Sequence, residues 1–109
     1  MNDQFLKSIN FRSGVITYND FDIDPLIPLI EQEFSLKEDI LQVDYGPYLL
    51  DLGWNPDCNV KGKFVVRLIH NYDWQNPIQR FEAKDLATLK ERLQEVIDHA
   101  EALLSRAHA

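Results

Sequence analysis

Apolar residues recur at spacings of three and four near the C-terminus. Leu86, Leu89, Leu93, Val96, Ile97, Ala100, Leu103 and Leu104 line up as one stripe of an amphipathic helix. Asp85 stands where an N-cap belongs, so the spacing predicts a helix from there to about Arg106. Glu91, Arg92 and Glu95 fall on its solvated side. Upstream the period changes to two. Tyr48, Leu50, Leu52 and Trp54 share one side of a strand. Phe64, Val66, Leu68 and His70 share one side of another, with Val65, Arg67 and Ile69 on its reverse. The turn-rich stretch from Asn55 to Gly62 joins them. A third strand is predicted over Ile78–Ala83, where the missing N–H of Pro77 is harmless at the start. Connections this short favour antiparallel pairing.

The first forty residues are less regular. Phe5, Leu6, Ile9 and Phe11 fit one face of a short helix, and Val15 to Tyr18 fit a short strand. Asp24-Pro25 reads as an N-cap followed by proline at the first helical position. The pattern therefore predicts a helix over Pro25–Phe34, with Leu26, Ile27, Leu29, Ile30 and Phe34 as its apolar face. Pro28 falls in its first turn, where proline is tolerated. Ser35-Leu36-Lys37-Glu38 has the spacing of a capping box and predicts a further helical turn, and the run after it reads as strand. Together these elements predict an α+β domain over residues 1–109. A small antiparallel sheet of three to four strands packs against a long C-terminal helix, with a shorter helix toward the N-terminus.

Composition narrows the class. Cys58 is the only cysteine, so no internal disulfide forms, which fits a reducing cytoplasm. No apolar run approaches the roughly 18 to 20 residues of a membrane span. Met1-Asn2-Asp3-Gln4-Phe5-Leu6-Lys7 lacks the basic start and apolar core of a secretory signal. The expectation is a soluble, cytoplasmic protein. Its net charge is −7, and the charge is uneven. Residues 1–60 carry 3 Lys/Arg against 11 Asp/Glu, whereas residues 61–109 carry 8 against 7. Binding to nucleic acid or to an anionic membrane surface is disfavoured, because both need clustered bases. An acidic half suits a basic protein partner.

Candidate chemistry is sparse. Asp20, Asp22 and Asp24 alternate, and Glu31 follows eleven residues after Asp20, as in a calcium-binding loop. The sixth loop position is Pro25, however, which cannot take the positive φ that glycine supplies there. The plainer reading is a helix N-terminus that favours acids. With Glu31 and Glu33, these aspartates form an exposed acidic patch, the candidate partner-binding residues. His70, His99 and His108 lack ligand spacing, so no metal site is predicted. Ser8, Ser13, Ser35 and Ser105 lie in no nucleophile-elbow setting. Asp57 beside Cys58 disfavours a thiolate. The four glycines are isolated and form no phosphate-binding loop. No catalytic residue and no cofactor is assigned. Trp54 and Trp74 each precede a turn, a placement that suits either the end of a core or an interface.

The turn residues also carry a resemblance. Leu50-Asp51-Leu52-Gly53-Trp54-Asn55-Pro56, then Gly62-Lys63-Phe64-Val65-Val66, then Asp73-Trp74-Gln75-Asn76-Pro77-Ile78 and a helix opening near Asp85-Leu86 resemble a group of small bacterial proteins. These are immunity proteins of polymorphic toxin systems, in particular contact-dependent growth inhibition. The resemblance runs from about Asp44 to His99, roughly half the chain. It implies a cytoplasmic protein that binds and blocks a cognate toxin domain, often a basic nuclease, with no chemistry of its own. It carries over no contact residues and no oligomeric state. A generic acidic interaction or self-associating domain, and a small enzyme, are the other classes open at this point.

Overall fold

In the computed structural model of the chain, residues 4–107 are described. Met1–Asp3 and His108 lie outside the described residues, and so do the expectations that rest on them. Five strands run in the order of the sequence, β1 Val15–Asn19, β2 Leu41–Tyr45, β3 Tyr48–Asn55, β4 Lys63–His70 and β5 Gln79–Ala83. Each pairs antiparallel with the next. The long helix α2 spans Leu86–Ala107 and lies over β4 and β5, reaching β2 and β3. The α+β class, the antiparallel pairing and the long last helix agree with the sequence pattern. The strand count is five rather than three to four.

β2 is the run after Glu38 that reads as strand, and with it the count passes four. Its Leu41, Val43 and Tyr45 are buried and alternate with half-buried Gln42 and Asp44. Tyr45 pairs with Tyr48 across Gly46-Pro47. Gly46 has φ 75°, the conformation that the first central position of a II′ hairpin turn requires. Asp44 accepts the Gly46 N–H at 2.7 Å.

The core follows from register. Leu41 stands opposite Leu52, Val43 opposite Leu50, Leu50 opposite Leu68, Leu52 opposite Val66 and Trp54 opposite Phe64, so these side chains share the helix-covered face. Leu89, Leu93, Val96, Ile97 and Ala100 complete that core from α2, with Leu86, Leu103 and Leu104 at its margin. Asp85 caps the helix as its position suggests, accepting the Thr88 N–H at 2.7 Å. Arg92 is partly exposed and pairs with Glu95 at 2.9 Å, and its guanidinium also lies 5.1 Å from the centre of the Phe81 ring.

Of three helical expectations at the N-terminal end, one is shortened and two fail. Residues 4–7 make only a single turn, α1 Gln4–Lys7, although Phe5, Leu6 and Ile9 are buried as their spacing implies. No α-helix forms over Pro25–Phe34. Two 3₁₀ turns, Leu29–Glu31 and Glu33–Ser35, take its place. The reason is Pro28. A proline pushes the residue before it out of the α region, so Ile27 cannot continue a helix begun at Pro25. Pro28 itself sits at φ −56° and ψ 142°, an extended conformation. The capping box is absent too, since Ser35 ends a 3₁₀ turn and the Glu38 N–H goes to Asp57 at 2.9 Å.

The two tryptophans separate. Trp54 is 1% exposed, packs edge-on against Phe64 at 4.7 Å between ring centres, and donates its indole N–H to the Asn59 carbonyl at 2.8 Å. Trp74 is 44% exposed in the β4–β5 turn.

Candidate functional site

The connection between β1 and β2 is the least ordinary part of the surface. Both its ends are anchored. Phe21 and Ile23 are buried at its start, and Leu36 and Ile40 at its end. Phe21 stacks on Phe5 with 5.2 Å between ring centres. At the exit the chain crosses β3 closely. Lys37 accepts the Trp54 N–H at 2.8 Å, and the Ile40 N–H reaches the Leu52 carbonyl at 3.0 Å. Gly53 permits the crossing, because a Cβ there would overlap the Glu38 carbonyl.

Between the anchors the loop is held by its own polar groups. The Gln32 side chain acts as a staple. Its amide N–H donates to the Asp24 and Ile27 carbonyls at 2.9 and 2.8 Å, and its carbonyl accepts the Asp24 N–H at 2.9 Å. Asp24 also accepts the Leu26 N–H at 2.9 Å, closing an Asx turn. Pro25 and Pro28 add stiffness by fixing φ.

The loop holds its apolar side chains outward. Leu26 is 84% exposed, Phe34 79%, Ile30 69% and Ile27 43%. The face expected to enter the core is thus in solvent. Only Leu29 of that face packs partly against the core. The spacing of these residues is helical, but no α-helix forms there to turn them toward the sheet.

Carboxylates surround the loop. Residues 13–60 contain ten Asp and Glu and a single base, Lys37. Lys37 is not available to a partner, since its ammonium lies 3.1 Å from Asp20 and 3.4 Å from Asp22. Burial pulls its pKa down, but the Asp20 hydrogen bond and the charges of Asp22 and Asp20 outweigh that and hold it above the ordinary value. The five predicted contact residues therefore divide. Asp20 and Asp22 converge on Lys37, and Asp24 serves the turn. Glu31 and Glu33 are exposed and make no ion pair among the described residues. Among the described residues no group of three or more His, Cys, Asp or Glu is placed to hold a metal ion. Sequence reasoning missed Gln32 and gave the wrong direction to Leu26, Ile30 and Phe34. The usable signal was the pair of prolines three residues apart.

Elsewhere the chemistry is quiet. Burial and the Asp57 carboxylate push the Cys58 thiol up, away from a reactive thiolate. His70 is exposed and stacks on Tyr48 at 5.0 Å. A depression of about 360 Å³ lies beside Val15, Asp44, Tyr45 and Leu104, and a smaller one beside Tyr18, Asp39 and Gln42. No helix of the described residues is long and apolar enough to cross a membrane.

Asp51 is the one buried charged residue among those described, 4% exposed on the sheet face away from α2. Gln42 donates to it at 3.1 Å, and Arg67 lies at the longer distance of 3.7 Å. Burial raises its pKa, and Asp39 adds to this, against the opposing pull of Gln42 and Arg67. With a folded pKa above the unfolded one, the folded chain keeps this proton longer. The contribution of Asp51 to stability is then greatest at low pH. It falls as pH rises from the ordinary carboxylate range through the raised value. Asp51→Asn is expected to be neutral or stabilising at pH 7, with an advantage that shrinks as pH drops through that window. Urea midpoints for both proteins at pH 4 and pH 7 check this. A variant less stable at pH 7 than at pH 4, relative to wild type, would reverse the assignment.

No protein-family model matches the chain, and no curated protein or solved structure matches it.

Proposed function

We propose that this chain is a non-catalytic immunity protein that binds a basic toxin domain, such as a nuclease, in the cytoplasm and blocks it. The observation that carries the reading is the β1–β2 connection. It is anchored, stapled and acidic, and its only base is already engaged by Asp20 and Asp22. Such a surface attracts a basic protein, and it repels nucleic acid and anionic lipid. The turn motifs around Trp54 and Trp74 support the same reading through their resemblance to immunity proteins.

The test is rescue of growth. Candidate toxin domains, first among them any encoded beside this gene, are expressed from an inducible promoter, with and without this chain. Restored growth is the expected result. Arrest that is unaffected by full expression of the folded chain would contradict the proposal.

A further inference from the structure

We infer that the 25–34 loop is the docking element, and that Leu26, Ile30 and Phe34 enter an apolar cleft set in a basic protein surface. This rests on the proposed binding of a basic toxin domain and specifies how that binding is made.

Three observations converge on the loop. Large apolar side chains stand in solvent at its crest, which is costly for a protein with nothing to cover them. The Gln32 staple and the Asp24 turn hold that arrangement through four hydrogen bonds, so little order has to be acquired on binding. Glu31 and Glu33 frame the apolar residues with negative charge that no neighbour among the described residues neutralises. An apolar centre inside a charged rim is the usual anatomy of a binding site.

The rim also selects the occupant. A second copy docked through the same loop would bring Glu31 and Glu33 against an equally acidic rim, and like charges across an interface oppose association. A phospholipid surface carries anionic headgroups and is repelled in the same way. A basic protein with an apolar cleft satisfies both parts of the loop.

The two parts make separable predictions, because rim charges act mainly on the association rate and apolar anchors on the dissociation rate. Full-length wild type is compared with L26S/I30S/F34S, E31Q/E33Q and Q32A. Binding to the toxin domain whose growth arrest the chain relieves is followed by surface kinetics at low and high salt. The triple variant is expected to lose affinity by about a hundredfold or more, mostly through faster dissociation at either salt concentration. E31Q/E33Q should associate more slowly and show a weaker salt dependence. Q32A should bind more weakly, since the loop loses its three Gln32 hydrogen bonds. All three variants change exposed or loop groups, so unchanged circular dichroism is expected and controls for folding.

If wild type binds the toxin domain and the triple variant binds equally well, the docking loop is refuted while the immunity reading stands. If wild type does not bind at all, that reading fails and takes this inference with it. A wild-type dimer in sedimentation that F34S dissolves would make a second copy the occupant and overturn the inference.

Discussion

Leu93→Asp is expected to leave the chain unfolded at 25 °C. Leu93 is fully buried on the stripe of α2 that faces the sheet. Truncating a buried leucine alone costs about 2 to 5 kcal/mol. Here the site also receives a carboxyl group with no partner, ionised or protonated, which adds several kcal/mol more. Domains of this size are stable by only about 5 to 15 kcal/mol, so the sum consumes most or all of what holds the fold. Leu93→Met keeps the volume and is expected to cost less than about 1.5 kcal/mol. Far-UV circular dichroism and thermal melting of both variants check the pair. A cooperative melt of the Asp variant at the wild-type temperature would show that this stripe does not face the core.

Trp54→Ala is expected to cost about 3 to 5 kcal/mol, the range for deleting a large buried aromatic. Its indole fills the end of the core against Phe64 and holds the Asn59 carbonyl, so the change leaves both a cavity and an unpaired acceptor. Trp54→Phe keeps part of the ring volume and loses the N–H, and is expected to be markedly milder. The consequence reaches the docking loop, because the Trp54 backbone N–H pairs with Lys37 where the loop returns to the sheet. Hydrogen exchange around Lys37 and Glu38 should quicken in the Ala variant before exchange in α2 does. A loss below about 1 kcal/mol in urea unfolding would place Trp54 outside the core that Phe64 and Leu52 define.

The parts of this fold that are legible in the sequence are those whose hydrophobic period is set by one partner. The α2 stripe has a sheet to cover, so its period of 3.6 translates directly into burial, and the period of two in β3 and β4 marks the residues that α2 covers, although Asp51, Val65 and Ile69 are buried on the opposite face as well. Strand β2 has the same alternation in Leu41, Val43 and Tyr45, but it is only five residues long and follows an irregular acidic stretch at Glu38-Asp39. The loop misleads for a different reason. Leu26, Ile27, Ile30 and Phe34 have helical spacing, and spacing says nothing about whether a core remains for them to enter. The backbone rule at Ile27-Pro28 outweighs the pattern. For the candidate site, charge alone locates the acidic region. Only the structure separates Asp20 and Asp22, which serve Lys37, from Glu31 and Glu33, which face outward.

That separation shapes the functional account. An acidic surface on its own would be a lever for solubility. An acidic surface arranged around stapled, outward-facing apolar side chains is suited to holding a partner. The central claim is that the partner is a basic toxin domain and that it is held stoichiometrically, without chemistry. The most direct measurement titrates this chain into the purified toxin domain that the growth test identifies and follows the toxin's activity. The account predicts a linear loss of activity that ends at one equivalent. Undiminished activity at excess chain would contradict the account, as would permanent inactivation by a small fraction of an equivalent.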